Sequence, residues 1–321
     1  MIRSMLAAAL LAFTFTTPAA AQGAKITIAT GVDPSFSAFY VAKMGGFFEK
    51  HGLDVQVNTG PSGSAMVAFV IQNQVQSAFG AEQAGIQNHN IDKNVVVAAE
   101  GDLMEQWYGL VARNVPDMEA LKGKRIGIAR GSGSEVFWLG LVEKLNLKSA
   151  DYKIVQVEAP EMVAALERGD IDAFTSWEPW VTRAVRAIPN TKVIRGQDGI
   201  MSPRVYIYVN KDWAEKNKDK AVAFMRAIVE ATDLISSDVE KSSELVSAFL
   251  KLDRALTREL MGKLRFDVRF DDGSVSNFVT VEKQLRETKK LAKPIVWQDF
   301  LYPDLLKSVR PEKVSFEMPA Q

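Results

Sequence analysis

Two serines and a glycine stand where a strand is predicted to meet a helix. Ser132-Gly133-Ser134 joins the predicted strand Arg125–Ala129 to the predicted helix Glu135–Leu145. Small residues at a helix start expose backbone N–H groups, which together with the helix dipole favour an anion. The hydroxyls can add donors. A simple N-cap, with Ser134 as the capping residue, fits this turn equally well, so both interpretations stay open.

A second turn of the same composition occurs earlier in the chain. Ser62-Gly63-Ser64 follows a predicted strand, Leu53–Asn58, and precedes an apolar-striped helix. Ligands of open α/β sheets bind beyond the carboxyl ends of the strands. We therefore expect both turns, with Ser35 and Phe36 of the loop after the first strand, to face one cleft. The pairing strengthens the anion hypothesis, because one Gly/Ser loop alone is a weak signal.

Aromatic and acidic side chains follow two further predicted strands. Trp177 could form a wall of the pocket or pack in the core, and Trp107 could stack on a ligand or pack at a hinge. Glu82 could receive an ammonium or guanidinium group of a ligand. An acid at a helix start is also stabilised by the helix dipole, which explains Glu82 and Glu178 without any ligand.

The sequence lacks the parts of the common catalytic sites. His51 and His89 both lie in polar turns, which predicts exposed histidines, and the chain has no cysteine. No GxSxG elbow, HExxH pair, Walker loop or GxGxxG after a strand is present. The sequence therefore predicts no catalytic residue, no metal site and no cofactor.

Short β-branched runs alternate with helical patterns from Lys25 onwards, which indicates βαβ units and mainly parallel sheets. Roughly 300 residues are more than one domain usually holds. The pattern restarts beyond Arg113-Asn114-Val115-Pro116 and crosses back at Val205–Val209, after which the chain is predicted almost wholly helical. The sequence therefore predicts an α/β fold of two lobes, with residues 22–113 and 205–321 in the first and 114–204 in the second.

The first 21 residues are typical of a signal peptide. Arg3 gives a positive start, Met5–Phe15 form an apolar run, and Ala19-Ala20-Ala21 is a small-residue cleavage pattern, which predicts cleavage after Ala21. The run is well short of the roughly 20 residues that cross a bilayer as a helix, although an uncleaved anchor is the alternative. With no cysteine to accept a lipid, we expect a free periplasmic protein.

The charges are balanced and interspersed. The chain carries 39 basic and 39 acidic residues, and cleavage would remove Arg3, leaving 38 and 39 and a net charge of −1. Nucleic-acid binding needs clustered lysine and arginine to displace counterions from phosphates. We therefore expect a small-molecule partner and no nucleic acid.

Several segments together resemble the sulfonate/nitrate/taurine class of substrate-binding proteins of ABC importers. The resemblance covers nearly the whole mature chain. It depends on four segments: Gly45-Gly46-Phe47-Phe48-Glu49-Lys50-His51-Gly52-Leu53-Asp54-Val55, Leu121-Lys122-Gly123-Lys124-Arg125-Ile126-Gly127, the Gly131–Ser134 turn, and Ala165–Ala173 followed by Trp177-Glu178-Pro179.

The resemblance implies a periplasmic-binding-protein fold of the two-crossover kind (type II), with lobes that close over one ligand. It also implies a monomer that delivers its ligand to an ABC permease and ATPase in the inner membrane. The implied binding loops are Ser35 and Phe36, Ser62 to Ser64, Gly80 to Glu82, Ser132 to Ser134, and Trp177-Glu178. Because Glu82, Glu135 and Glu178 would add negative charge, we expect a zwitterion or an organic acid with a polar tail rather than a bare inorganic anion.

Three alternatives remain. The ligand could be an aromatic acid or a pyrimidine-type compound, and the protein could dock on a membrane sensor instead of a permease. A pyrimidine-synthase type of enzyme resembles these binding proteins in fold, but that family is intracellular and carries a cysteine-rich motif, so the predicted export and the absence of cysteine argue against it.

Overall fold

A computed structural model describes residues 24–320, and these residues form two lobes, each built on one β-sheet. The predicted signal peptide, residues 1–21, lies outside the described residues. We call the lobe around the seven-stranded sheet the first lobe, and the lobe around the five-stranded sheet the second lobe.

The seven-stranded sheet has the order β12-β11-β4-β10-β3-β1-β2, and the five-stranded sheet has the order β7-β6-β8-β5-β9. The strands are β1 Ala24–Thr30, β2 Leu53–Thr59, β3 Ser77–Gly80, β4 Val95–Met104, β5 Tyr108–Arg113, β6 Arg125–Ile128, β7 Lys153–Gln156, β8 Ala173–Trp177, β9 Thr191–Gly196, β10 Arg204–Asn210, β11 Leu264–Asp271 and β12 Val314–Ser315.

Helices follow most strands and cover the sheets. They are α1 Ser37–Met44, α2 Phe47–Lys50, α3 Gly63–Val67, α4 Glu82–Ile91, α5 Gly133–Lys144, α6 Met162–Arg168, α7 Trp180–Ala187, α8 Lys211–Lys216, α9 Lys218–Ser237, α10 Val239–Leu250, α11 Arg254–Met261, α12 Asp272–Glu287, α13 Trp297–Phe300 and α14 Asp304–Lys307. Among the described residues, no helix combines the length and the apolar character needed to cross a membrane.

Both sheets are mixed, whereas the sequence predicts mainly parallel sheets. Three of the six strand pairs in the seven-stranded sheet are parallel, as are two of the four pairs in the five-stranded sheet. The parallel pairs come mainly from the predicted βαβ units. The antiparallel pairs all involve β4, β5 or β10, which flank the points where the chain changes lobe, and a strand that arrives from the other lobe is free to enter in the opposite direction.

The first crossing lies earlier than predicted. The strand Tyr108–Arg113, assigned from sequence to the first lobe, pairs with β8 and β9 in the second. Gln197 holds the crossing in place, because its Oε1 accepts the backbone N–H groups of Trp107 and Tyr108 at 2.8 Å each. The break in pattern at Asn114, which has a φ of 55°, is the turn that ends β5 rather than the passage between lobes.

Two strands lie in the region that the sequence predicts to be almost wholly helical. β11 pairs antiparallel with β4, and β12 extends the sheet beyond β11. In β11 the hydrophobic residues Leu264, Phe266, Val268 and Phe270 alternate with polar ones, which is the period of a half-buried strand. Helix α11 stops at Met261, and β11 begins three residues later at Leu264.

Candidate functional site

One cavity lies between the two lobes, with a volume of about 30 Å³. Its walls come from the carboxyl ends of β1, β3, β4, β6 and β8, as expected for ligand sites of α/β sheets. The residues that line it are Asp33, Ser35, Phe36, Ser62, Gly63, Ser64, Gly80, Ala81, Met104, Trp107, Tyr108, Ser132, Gly133, Trp177 and Val205. The structure thus brings together nine of the twelve residues that the sequence predicts; Glu82, Ser134 and Glu178 lie outside the lining.

The two serine and glycine turns start helices on opposite sides of this cavity. Ser62 is the N-cap of α3, where its Oγ accepts the backbone N–H of Ala65 at 3.1 Å. Ser132 is the N-cap of α5, where its Oγ accepts the backbone N–H of Ser134 at 3.2 Å and donates to the Ala129 carbonyl at 2.7 Å. The capping residue of the second turn is therefore Ser132 and not Ser134. N-capping and a ligand-facing helix start are compatible, because the first-turn N–H groups have no partner within the helix.

Both turn glycines stand where a side chain would collide with a neighbour. A Cβ on Gly63 would lie 2.5 Å from the backbone carbonyl oxygen of Phe79, and one on Gly133 would overlap the Tyr108 hydroxyl group. The two helix starts therefore approach the cavity with bare backbone. Such an arrangement presents N–H groups to a bound molecule at close range.

Ser134 is a structural residue rather than part of the cavity lining. Its buried hydroxyl donates to the Thr175 carbonyl at 2.6 Å and accepts the backbone N–H of Ala129 at 3.2 Å. These bonds tie the start of α5 to the ends of β6 and β8. The prediction that Ser134 donates to a ligand is wrong for this arrangement, because its proton is already used.

Trp177 reaches across the cleft to a residue that the sequence analysis did not assign to the site. Its indole Nε1 donates to Asp33 Oδ2 at 2.9 Å, and Asp33 Oδ1 accepts from the hydroxyl of Ser35 at 2.5 Å. Asp33 is only 3% exposed, and burial raises its pKa to about 7, against the opposing effect of its bonds from Ser35 and Trp177. Asp33 and Trp177 belong to different lobes, so this hydrogen bond joins the two lobes at the cavity.

Trp107 and Tyr108 supply further aromatic surface. Trp107 is 1% exposed and both residues line the cavity, although both also hold the crossing between lobes. The alternatives that the sequence left open for Trp107, ligand contact and hinge packing, are thus both compatible with its position. Burial, with the charges of Asp33, Glu82 and Asp102 behind it, raises the pKa of Tyr108 well above its usual value.

Glu178 is buried and faces away from the cavity. Its Oε1 pairs with Lys263 Nζ at 2.5 Å and accepts the Thr182 hydroxyl at 2.8 Å, while Oε2 accepts the Thr182 backbone N–H. Lys263 precedes β11 in the first lobe, so this ion pair also bridges the lobes. The predicted ligand contact of Glu178 is replaced by a contact between the lobes.

Glu82 lies beside a separate space of about 60 Å³ between α5 and α12. Its Oε1 accepts a hydrogen bond from Asn277 Nδ2, and both residues line that space rather than the main cavity. Glu82 is 2% exposed, and burial raises its pKa to about 7 against the opposing influence of Arg204 and Asn277. The protein itself therefore supplies the partner that the sequence analysis expected from a ligand.

Neither histidine contributes to the cavity. His89 is fully buried in α4 with Nδ1 2.8 Å from the Val95 carbonyl oxygen, so its predicted exposure is wrong. Burial lowers the pKa of His89 to about 4. His51 lies beside Glu230 with 3.1 Å between Nε2 and Oε1.

Comparisons with known proteins agree on one family and one fold. A family model described as "NMT1/THI5 like" matches residues 33–242. A relative named "Putative aliphatic sulfonates-binding protein", from Bacillus subtilis (strain 168), is 23% identical over 302 residues, which cover 90% of this chain and 89% of the relative.

Two solved structures with a similar fold have different named activities. The periplasmic aliphatic sulphonate binding protein SsuA from Escherichia coli has a TM-score of 0.73 at 17% identity, with 88% of this chain and 98% of that chain covered. The desulfurization enzyme DSZB has a TM-score of 0.70 at 15% identity, with 90% and 99% covered. The predicted periplasmic-binding-protein fold is confirmed, and that fold carries both a binding protein and an enzyme among its relatives.

Proposed function

Because the chain belongs to the NMT1/THI5-like family, we propose that it is the periplasmic solute-binding component of an ABC importer, and that it captures a small organic anion or zwitterion. The observation that carries this proposal is the cavity lined from both lobes, with the start of one helix from each lobe at its wall. The relative from Bacillus subtilis, whose name refers to aliphatic sulfonates, supports a sulfonate or a carboxylate as the anionic group.

The anionic group would bind at the starts of α3 and α5. Gly63 and Gly133 bring backbone N–H groups to the cavity, and a helix N-terminus carries a partial positive charge. No lysine or arginine is among the described residues that line the cavity. Backbone donors, rather than a side-chain cation, would therefore compensate the anion.

Capture would proceed by closure of the two lobes. The cavity volume of about 30 Å³ is far below the roughly 300 to 1,000 Å³ of ordinary ligand pockets, so a solute can enter only when the lobes separate. A ligand that contacts both lobes binds the closed state better than the open one and shifts the population toward it. The Trp177–Asp33 hydrogen bond would form in the same step.

Binding, rather than catalysis, accounts best for the groups at the cavity. The described lining residues include no histidine or cysteine, and their serine hydroxyls at 62 and 132 serve as helix caps. The DSZB likeness is one of fold. We propose delivery of the ligand by a monomer to a permease and its ATPase; docking on a membrane sensor would use the same closure.

A ligand screen tests the proposal directly. We expect one class among sulfonates, aliphatic and aromatic carboxylates, nitrate and pyrimidines to raise the melting temperature of the protein lacking residues 1–21. Phe36, Trp107 and Trp177 line the cavity, so aromatic acids and pyrimidines form an arm of the screen in their own right. A screen in which no class shifts the melting temperature would count against a solute-binding role.

Trp177→Phe then tests the cavity as the binding site. Phenylalanine keeps a ring at the wall but cannot donate to Asp33. At pH 8, above the pKa of about 7, Asp33 is ionised and the lost bond is worth about 1.5 kcal/mol or more, so titration calorimetry should show affinity falling about tenfold. Trp180→Phe is the matched control, because Trp180 contacts Arg183 at a separate groove. Equal affinities of the two variants would place the ligand elsewhere.

A further inference from the structure

One buried carboxyl group beside the cavity has no partner. Asp102, in β4, is 1% exposed, and among the described residues neither of its side-chain oxygens has a hydrogen-bond partner. Burial without a partner costs free energy, because the carboxyl group loses its hydrogen bonds to water and gains none from the protein. Buried polar groups are almost always satisfied in folded proteins, so Asp102 requires an explanation.

The neighbouring acid on the same strand shows how this protein normally treats a buried carboxylate. Glu100, also 1% exposed, pairs with Arg204 at 2.9 Å and Arg269 at 3.1 Å, and it accepts the Ser274 hydroxyl at 2.6 Å. Two residues further along the strand, Asp102 has none of these groups. Arg204 and Arg269 are therefore both paired with Glu100, and among the described residues no ion pair involves Asp102.

Asp102 is a close neighbour of two residues that line the cavity, although it is not itself part of the lining. Met104, two residues further along β4, lines the cavity, and alternate residues of a strand share one face. On the adjacent strand Val205 stands directly opposite Asp102 in the register and also lines the cavity. The unpartnered carboxyl group is thus next to two lining residues and on the same face of β4 as one of them.

Asp33 adds a second acid to this part of the cavity. Burial raises the pKa of Asp102 well above its usual value, and the charge of Asp33 raises it further. The nearby backbone N–H of Val205 acts in the opposite direction. When ionised, the two carboxyl groups would favour a positive charge at one side of the cavity, while the helix starts favour a negative charge at the other.

We infer that the ligand carries a protonated amine, and that Asp102 accepts its hydrogen bonds while the anionic end of the ligand meets the starts of α3 and α5. The inference is an extension of the proposed function and names its ligand class as an ω-amino sulfonate or ω-amino carboxylate. An ammonium group has three donors and no acceptor, so it complements a carboxylate that has only acceptors.

The acids from which the sequence predicts a mixed-charge ligand do not carry this inference. Glu82 bonds to Asn277, Glu178 pairs with Lys263, and Glu135 pairs with Lys290 at 2.6 Å. Each of these carboxylates already has a donor from the protein. The expectation of a zwitterion is retained, but its basis moves to Asp102 and Asp33.

The test measures affinity for matched pairs of probes that differ only in the amine. Taurine and 3-aminopropanesulfonate are compared with propanesulfonate and butanesulfonate, and β-alanine and 4-aminobutyrate with butyrate and pentanoate, all by titration calorimetry at pH 7. We expect the amines to bind at least tenfold more tightly than their partners. Binding of the amine-free compounds alone would overturn the inference and keep the proposed function, whereas failure of all eight probes, together with the wider screen, would overturn both.

Asp102→Asn tests the residue. The variant keeps the shape of the side chain but removes its charge, so we expect the preference for amines to fall at least tenfold with little change in affinity for the amine-free probes. Glu82→Gln is the matched control, because it neutralises another buried acid outside the cavity and should retain the full preference. An unchanged preference in Asp102→Asn would overturn the assignment.

Proton release gives a second measurement that does not depend on the variant folding. Burial raises the pKa of Asp102, and an arriving ammonium group would lower it again. Calorimetry of the unaltered protein at several pH values, in buffers of different ionisation enthalpy, should therefore show more proton release with an amine probe than with its amine-free partner. Equal proton release by the two probes at every pH would contradict the inference.

Discussion

Ser132 and Ser134 stand two residues apart in one turn, yet their hydroxyl groups have different roles. Ser132 caps α5 at the cavity wall, whereas Ser134 points into the second lobe and connects the ends of β6 and β8. The roles differ because the two side chains leave the start of α5 in different directions, towards the cavity wall for Ser132 and towards the strand ends for Ser134. A variant at each position therefore affects a different property of the protein.

Ser134→Ala should lower stability and leave ligand affinity within about twofold. The change removes the hydroxyl that donates to the Thr175 carbonyl and leaves the buried backbone N–H of Ala129 without an acceptor. An unsatisfied buried group of this kind lowers the free energy of unfolding by about 1 to 3 kcal/mol. Urea denaturation measures the loss. Ser276→Ala, whose hydroxyl is exposed, should change stability by less than about 0.5 kcal/mol. A loss of affinity at unchanged stability would instead restore Ser134 to the binding site.

Residue types and spacing predicted the helix starts but not the acids of the cavity. Ser62, Ser132 and their glycines form local motifs, readable within five residues. Asp33 acquires its role only from Trp177, 144 residues away, and Asp102 alternates with Glu100 in a strand where such alternation normally indicates a solvated face. No local pattern shows that Glu100 has two arginines and Asp102 none.

At the scale of elements, the predicted βαβ units are the part of the fold that local sequence determines best. β1, β2 and β3 and the pairs of β6 with β7 and β8 follow the predicted alternation and are parallel. β5 was assigned to the wrong lobe and β11 was missed, because their partners lie far away in the chain. The register of β5 with β8 and β9 spans roughly 60 to 90 residues, which a reading of neighbouring residues cannot supply.

The packing of α4 against α12 buries Glu82 and makes stability depend on pH. The folded-state pKa is about 7 and the ordinary value is 4.5, so between these values the folded protein retains a proton that the unfolded chain has lost. The free energy of unfolding therefore falls as the pH rises through this window, by about 3 kcal/mol from this group.

Glu82→Gln should remove this contribution, because the amide resembles the protonated acid at every pH. Between pH 4.5 and 8 we expect the variant to lose about 3 kcal/mol less unfolding free energy than the unaltered protein, as measured by urea denaturation at several pH values. The pKa of Asp33 is also raised to about 7, so Asp33 makes stability depend on pH in the same way in both proteins. Its contribution therefore cancels when the two stability curves are subtracted. Parallel curves would mean that Glu82 is solvated in solution.

At the scale of the whole molecule, three ion pairs among residues 24–320 join the two lobes. Lys263–Glu178, Lys290–Glu135 and Arg186–Glu259 each have one partner in each lobe. The pairs differ in burial, which determines how much each contributes to holding the lobes together. The Glu178 side chain is 3% exposed, whereas those of Arg186 and Glu259 are 57% and 46% exposed. Exposed pairs contribute little, while a buried acid that loses its partner is strongly destabilised.

Lys263→Gln should therefore shift the ligand-free protein toward the open state. Without Lys263, Glu178 keeps only its bonds from Thr182, and separation of the lobes would return it to water. Small-angle scattering should show a larger radius of gyration without ligand and the original value at saturation. Because the ligand must then restore closure, the apparent Kd should weaken about tenfold or more, equivalent to about 1.4 kcal/mol or more. Arg186→Gln, which breaks the exposed pair, should change neither quantity measurably. If both variants keep the original radius and affinity, contacts other than Lys263–Glu178 hold the lobes closed.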